Sequence, residues 1–263
     1  MVTVRETAAF LKLDAGRMHY RKLGTGWPLF LLHSLGTSSL AWQKATQPLA
    51  QKFTVYAWDM MGHGDSDKPQ HDYSLEEYGD RMAEAAKALS LERVAFMGNS
   101  IGAVIALDVA ARYPDLVTKL VLVGCPCWPD AKAREEALAA SAAAYDADGN
   151  PKPMTLEGLA GSFAKPTQEL VEFMNGQRQK AGVWAYRSRL AVGRYDVPAK
   201  LSSVRCPTLV VYGDKDQLRS SEELLRRGVR GAQSALLTNA GHLPQLEAPP
   251  AFADAVLPFL TAP

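Results

Sequence analysis

The stretch FMGNSIGA, residues 96–103, places a serine between two glycines at a sharp change of sequence pattern. The run VAFMGN before Ser100 is apolar and predicts a buried strand, whereas IGAVIALDVAAR after it is rich in alanine and predicts a helix. Ser100 therefore occupies the turn between the two, and Gly98 and Gly102 remove the side chains that would clash there. The spacing Gly-x-Ser-x-Gly between a strand and a helix is typical of a nucleophile elbow, which raises a serine hydroxyl above the edge of a sheet. We predict that Ser100 is a nucleophile.

Composition limits the class of protein. The chain has 263 residues, of which 47% are hydrophobic and 22% are charged, so we expect one large globular domain or a domain with an insertion. A net charge of +1 gives no basic field for nucleic acid or anionic lipid. The opening MVTVRETAAFLKLDAG alternates and carries charges, unlike a signal peptide, and no apolar run approaches the roughly 18 residues that span a membrane. We therefore expect a cytoplasmic protein with no nucleic-acid or membrane partner, in which the three cysteines stay reduced.

Strand-like runs alternate with helical stretches along the chain. A hairpin is predicted around Asp14-Ala15-Gly16, and Ser74 with Glu77 forms a capping box at the start of a long amphipathic helix. The further strand-like runs are PLFLLH (28–33), FTVYAWD (53–59), KLVLVGC (119–125), TLVVYG (208–213) and SALLTN (234–239). Strands separated by helices predict an α/β fold with a mostly parallel, twisted sheet and helices on both faces.

Residues 126–200 interrupt this alternation. They contain helical pieces cut by proline and glycine, and no convincing strand. We interpret them as an inserted helical cap over the carboxyl ends of the strands, with the core formed by 1–125 and 201–263. A disordered linker fits poorly because the segment carries many large apolar side chains that need burial. Four aromatic or apolar side chains, on or near the cap, are candidates to line a substrate pocket: Trp128, Phe163, Met174 and Trp184.

A nucleophilic serine needs a base, usually a histidine held by a carboxylate. Of five histidines, His242 alone follows the last strand on a flexible Asn-Ala-Gly turn, which is the position that a base needs late in the chain. His33, at the end of a strand, is expected to brace its loop by bonding nearby backbone. The loop YGDKDQ offers two candidate acids, Asp214 and Asp216, and these residues alone do not decide between them.

Five motifs together resemble the α/β-hydrolase superfamily over nearly the whole chain. They are LLHSLGTSS, WDMMGHGDSD, GNSIGA, YGDKDQ and TNAGHLPQLEAP. The resemblance implies the α/β-hydrolase fold and a catalytic triad of Ser100, Asp216 and His242, with Asp214 shaping the turn. It also implies an oxyanion hole formed by the backbone N–H groups of Leu35 and Ile101.

Two positions depart from the usual pattern of that superfamily. Ser34 stands where glycine is usual, and Met61 stands where arginine is usual. The sequence HSLG resembles the N-S-L-G version in 3-oxoadipate enol-lactonases, which favours lactones and small esters. Met61 is expected to affect packing more than chemistry.

These features favour a serine hydrolase that cleaves a small carboxylic ester or lactone through an acyl-enzyme. One alternative is hydrolysis of a carbon–carbon bond in a ring-cleavage product. GNSIGA resembles the G-N-S-M-G-G of such enzymes, and Arg187 or Arg189 could bind a carboxylate. Leu243 counts against this alternative, because the carbon–carbon hydrolases usually have an aromatic residue at that position. Cofactor-free perhydrolysis and a ligand receptor on the same fold are further alternatives. No metal-binding motif such as H-E-x-x-H is present, and the expected chemistry needs no cofactor.

Overall fold

The computed structural model describes residues 5–263, so the first four residues of the predicted core segment 1–125 lie outside it. Its centre is an eight-stranded sheet with the strand order β1-β2-β4-β3-β5-β6-β7-β8. The strands are β1 (Thr7–Leu13), β2 (Gly16–Leu23), β3 (Trp27–Leu32), β4 (Phe53–Trp58), β5 (Val94–Asn99), β6 (Val117–Val123), β7 (Thr208–Gly213) and β8 (Gln233–Leu237). The pairs that β2 forms with β1 and β4 are antiparallel, and all pairs from β4 to β8 are parallel. The predicted mostly parallel sheet is confirmed.

Helices cover both faces of the sheet. They are α1 (Gln43–Ala50), α2 (Leu75–Ala88), α3 (Ile101–Arg112), α4 (Ala131–Ser141), α5 (Leu156–Leu159), α6 (Gln168–Ala181), α7 (Val183–Arg194), α8 (Pro198–Leu201), α9 (Glu222–Gly228), α10 (Pro244–Glu247) and α11 (Pro249–Thr261). Apolar side chains of α2 and α3 pack on one face of the sheet, and those of α1 and α11 pack on the other. The predicted capping box of Ser74 and Glu77 begins α2. No helix in the described part of the chain has both the length and the apolar character needed to cross a membrane.

The helices α4 to α8 lie in the chain between β6 and β7, in the segment where the sequence predicts a cap. Apolar side chains of α5 and α6 pack against Leu243 and Leu246, which follow β8. The segment is thereby attached to the loop at the carboxyl end of β8. Helix α8 crosses the predicted boundary at residue 200.

Candidate active site

Ser100 lies at a strained turn between β5 and α3. Its φ of 58° and ψ of −119° are in a region that residues other than glycine rarely adopt. The two flanking glycines are required by close backbone approaches: a Cβ at Gly98 would lie 2.1 Å from the Gly102 oxygen, and one at Gly102 would lie 2.3 Å from the Leu32 oxygen. The turn therefore holds the Ser100 side chain at the carboxyl edge of the sheet, where it is half-buried.

His242 and Asp216 form a close pair at the same edge. His242 Nδ1 is 3.0 Å from both carboxylate oxygens of Asp216, whose side chain is fully buried. Asp216 Oδ1 also accepts the backbone N–H of Leu218 at 2.9 Å, which fixes the orientation of the carboxylate. The arrangement lets the histidine donate from Nδ1 and keeps Nε2 available as a proton acceptor.

The loop that carries His242 is held by three neighbours that sequence reasoning did not single out. Asn99 Nδ2 donates to the His242 carbonyl at 3.0 Å. The His242 N–H donates to the carbonyl of Ser162 at 2.7 Å. The Glu247 carboxylate accepts from the backbone N–H groups of Gly241, Leu243 and Ala164. The contacts of Asn99, Ser162 and Ala164 join segments that are far apart in the chain, so no residue pattern signals them.

Gly124 makes room for the pair of His242 and Asp216. A Cβ at Gly124 would lie 2.8 Å from Asp216 Oδ2 and 2.9 Å from His242 Nδ1, and its φ of 52° also favours glycine. In the sequence, the only sign of this role of Gly124 was its position directly after the strand-like run KLVLV.

Leu35 and Ile101 line the same cavity as Ser100 and His242. Within residues 5–263, neither of their backbone N–H groups has a hydrogen-bond acceptor. Ile101 opens α3, where unpaired N–H groups and the helix dipole favour negative charge. The two groups are therefore free to bind an oxyanion.

Ser34 fits its loop without the glycine that is usual there. Its hydroxyl is 3.1 Å from that of Thr37, and the Thr37 hydroxyl donates to the Ser34 carbonyl at 2.8 Å. The positive φ of this loop falls instead on Gly36, at 69°. Met61, the other departure, is buried in the main core.

His33 braces the same loop, as expected. Its Nδ1–H donates to the Ser34 carbonyl at 2.8 Å, and its Nε2 accepts the Met60 N–H at 3.0 Å. Both bonds together require the neutral ring. Burial lowers the pKa of His33 and, to about 3, that of the neighbouring His63.

The cavity has a volume of about 800 Å³. Of the four side chains predicted to line a pocket, Trp128, Phe163 and Met174 line this cavity. Trp184, the fourth, does not line it. Its ring packs beneath Gly62, where a Cβ would lie 2.5 Å from it, and meets the Tyr73 ring edge-on in the main core. Whether an aromatic side chain on a helix faces a cavity depends on its angle around the helix axis. The identity of the residue alone does not reveal that angle.

One group of side chains in the described residues has the spacing of metal ligands: His19, Asp59 and Asp65. Asp59 already accepts from His19 Nδ1 at 2.8 Å and from two backbone N–H groups. These bonds hold the pKa of Asp59 well below its usual range, against the effect of burial. None of the three lines the cavity, and the cluster ties β2 to the turn after β4.

Comparisons with known proteins were made on sequence and on structure. The sequence match to uncharacterised proteins of Mycobacterium tuberculosis is 39% identical over 117 residues, covering 44% of this chain and 34% of theirs, so it spans about a third of those relatives. Serine hydrolase BPHL of Mus musculus is 28% identical over 247 residues, covering 90% of this chain and 80% of that protein.

Two solved structures have the same fold over their whole length. A hydrolase from Pseudomonas aeruginosa has a TM-score of 0.83 and 30% identity, covering 97% of this chain and 99% of that one. Est816, described as an N-acyl homoserine lactone degrading enzyme, has a TM-score of 0.76 and 26% identity, covering 95% and 100%. The family model described as the alpha/beta hydrolase family matches residues 29–255. The chain is therefore a member of the alpha/beta hydrolase family.

Proposed function

We propose that this protein is a serine hydrolase that cleaves a small carboxylic ester or lactone through an acyl-enzyme on Ser100. The observation that supports this most directly is that Ser100 and His242 line one cavity while His242 Nδ1 contacts a buried carboxylate, that of Asp216. The likeness to a relative named as a serine hydrolase and to a lactone-degrading enzyme agrees with this proposal.

The proposed mechanism assigns one role to each group. His242 Nε2 takes the proton of the Ser100 hydroxyl as its oxygen attacks the carbonyl carbon, and Asp216 stabilises the imidazolium that forms. The N–H groups of Leu35 and Ile101 bind the tetrahedral oxyanion, an interaction that is typically worth about 3–4 kcal/mol per donor. His242 then donates its proton to the leaving oxygen, and a water molecule hydrolyses the acyl-enzyme by the reverse sequence of steps.

We propose further that residues 126–200 act as the cap of this site, over a core formed by 1–125 and 201–263. Phe163 and Met174 from the cap line the cavity together with Ser100 and His242 from the core. A cavity with this mostly apolar lining favours small apolar or aromatic groups next to the reacting carbonyl.

The test is a fluorophosphonate probe followed by intact-mass measurement, together with a screen of short p-nitrophenyl esters, simple lactones and a vinylogous diketone. We expect one adduct on the wild type and none on Ser100→Ala, with turnover of the best substrate reduced at least about 10³-fold. Ser220→Ala is the matched control, because Ser220 is an exposed serine that also borders the cavity. Turnover by Ser100→Ala within tenfold of wild type would contradict the assignment, and turnover of the diketone alone would favour carbon–carbon hydrolysis.

A further inference from the structure

Two buried arginines face the cavity that holds Ser100 and His242. Arg178 on α6 is 8% exposed and Arg189 on α7 is 6% exposed, and both line the cavity. Within residues 5–263 neither arginine forms an ion pair, and no aspartate or glutamate lines this cavity. A buried charge without a counter-charge is costly, so two of them beside a mostly apolar cavity call for an explanation.

The protein uses only part of the hydrogen-bonding capacity of these two side chains. Arg178 Nη2 donates to the carbonyl of Ala144 at 3.3 Å, and its buried Nε has no partner among the described residues. Arg189 donates from Nε to Ser141 Oγ at 2.7 Å and from Nη2 to the carbonyl of Leu138. Across the described chain, neither Nη1 group has an acceptor. These bonds leave most of the N–H donors of the two guanidinium groups unused, and paired N–H donors of arginine match the two oxygens of a carboxylate.

Both guanidinium groups also lie against one aromatic ring. Both lie over the ring of Tyr145, at 5.4 Å for Arg178 and 5.6 Å for Arg189. These cation–π contacts orient the two groups but supply no counter-charge. A bound anion within reach of both groups would supply it.

Arg178 adjoins the loop that carries Leu35. A Cβ at Gly36, the next residue in that loop, would lie 3.2 Å from Arg178 Cγ. The guanidinium is therefore within one side-chain length of the proposed oxyanion hole, on the cap side of the cavity.

We propose that Arg178 and Arg189 form a subsite for a carboxylate group of the substrate. This inference rests on the proposed function and narrows it: the natural substrate is an ester or lactone that also carries a free carboxylate. The neighbouring Arg187 does not belong to this subsite, because it pairs with Asp72 at 3.2 Å, lies over the ring of Trp184 and does not line the cavity.

The kinetic test compares esters that differ only in charge. One pair is the mono-p-nitrophenyl ester of glutaric acid and p-nitrophenyl valerate, which place the charge in the acyl group. The other pair is 4-butyryloxybenzoate and phenyl butyrate, which place it in the leaving group. We expect the wild type to prefer the anionic member of at least one pair in kcat/KM. Arg178→Gln and Arg189→Gln should reduce that preference about 10- to 100-fold, as loss of a charge-assisted hydrogen bond does.

Arg187→Gln is the matched control and should keep the preference of the wild type. Arg189 also supports the end of α4, so if Arg189→Gln does not fold by circular dichroism, Arg178→Gln decides alone. A wild-type preference for both neutral esters would overturn the proposal. A preference that neither arginine variant changes would overturn it as well.

A binding measurement separates this proposal from the catalytic one. Monomethyl glutarate is titrated into the Ser100→Ala protein and followed by tryptophan fluorescence, since Trp128 lines the cavity. We expect saturable binding that weakens at least tenfold when Arg178→Gln is added and is unchanged when Arg187→Gln is added. If the wild type hydrolyses none of the esters but this pattern is found, the proposed function fails and the subsite stands. Equal binding by all three proteins would overturn the subsite.

Discussion

At the scale of single residues, the two aspartates that follow β7 differ in what they contact. Asp216 meets His242 Nδ1 with both oxygens, whereas Asp214 Oδ1 is buried with no partner in the part of the chain that the structure describes, and its Oδ2 lies 3.7 Å from Lys215 Nζ. We therefore expect Asp216→Asn to reduce kcat on the best ester by about 10⁴-fold, because asparagine keeps the shape but favours the wrong histidine tautomer. The measurement is steady-state kinetics with circular dichroism to confirm folding.

Asp214→Asn is the control for this substitution. It lies in the same turn and changes the same charge. Because Asp214 does not contact His242, Asp214→Asn should reduce kcat far less than Asp216→Asn does. If the Asp214→Asn protein is inactive and the Asp216→Asn protein is nearly as active as wild type, Asp214 and not Asp216 is the acid of the triad. If both proteins stay active, the acid lies outside this loop.

At the scale of elements, one carboxylate accepts three of the backbone N–H groups in and beside the loop that carries His242. Glu247 in α10 accepts the N–H groups of Gly241 and Leu243 on one oxygen and that of Ala164 on the other. In Glu247→Gln, the amide NH₂ would face one of these donors. An unsatisfied buried donor costs about 1–3 kcal/mol, so the loop that carries His242 should lose order.

We expect Glu247→Gln to slow labelling of Ser100 by a fluorophosphonate by about tenfold, because labelling needs His242 in place. The readout is the second-order rate constant from intact mass against time. Glu157→Gln, an exposed substitution of the same kind on α5, should label at the rate of wild type. Equal rates in all three proteins would mean that Glu247 does not hold the loop.

Most elements of the sheet could be predicted because their signal is local. The runs VAFMGN and TLVVYG coincide with β5 and β7, since strands buried on both faces are continuously apolar and end at turn residues. The ends of β6 and β8 differ from prediction by one or two residues, because hydrogen bonds to the neighbouring strand set them.

At the scale of the whole molecule, the cavity could not be predicted in the same way. Side chains of residues 126–200 and side chains outside that segment line it together, so the angle of each helix in 126–200 decides which of its side chains face the cavity. Trp184 and Arg189 lie on the same helix, α7, yet only Arg189 reaches the cavity. The motifs on the core loops predicted the positions of Ser100 and His242 because each follows a strand of one parallel sheet.

Stability of the whole molecule should depend on pH through two buried histidines. His63 is fully buried, and its Nε2 has no partner within residues 5–263. Burial lowers the pKa of His63 to about 3 and also lowers the pKa of His33. In the unfolded chain both histidines take up a proton below about pH 6.5. The folded state keeps His63 neutral in this range and disfavours protonation of His33, so the free energy of unfolding should decrease as the pH falls, by up to about 1.4 kcal/mol per pH unit for each group.

Urea unfolding between pH 7.5 and pH 5 measures this dependence above the range in which most carboxylates titrate. His63→Leu should reduce the slope of the free energy of unfolding against pH, below pH 6.5, by the contribution of about one proton. Leucine fills the site and binds no proton in either state. His71→Gln is the control, since the His71 side chain is 66% exposed, and it should leave the slope nearly unchanged. An identical slope in wild type and His63→Leu would show that the folded protein protonates His63 as readily as the unfolded chain does, and the buried neutral ring beside the proposed oxyanion loop would then be ruled out.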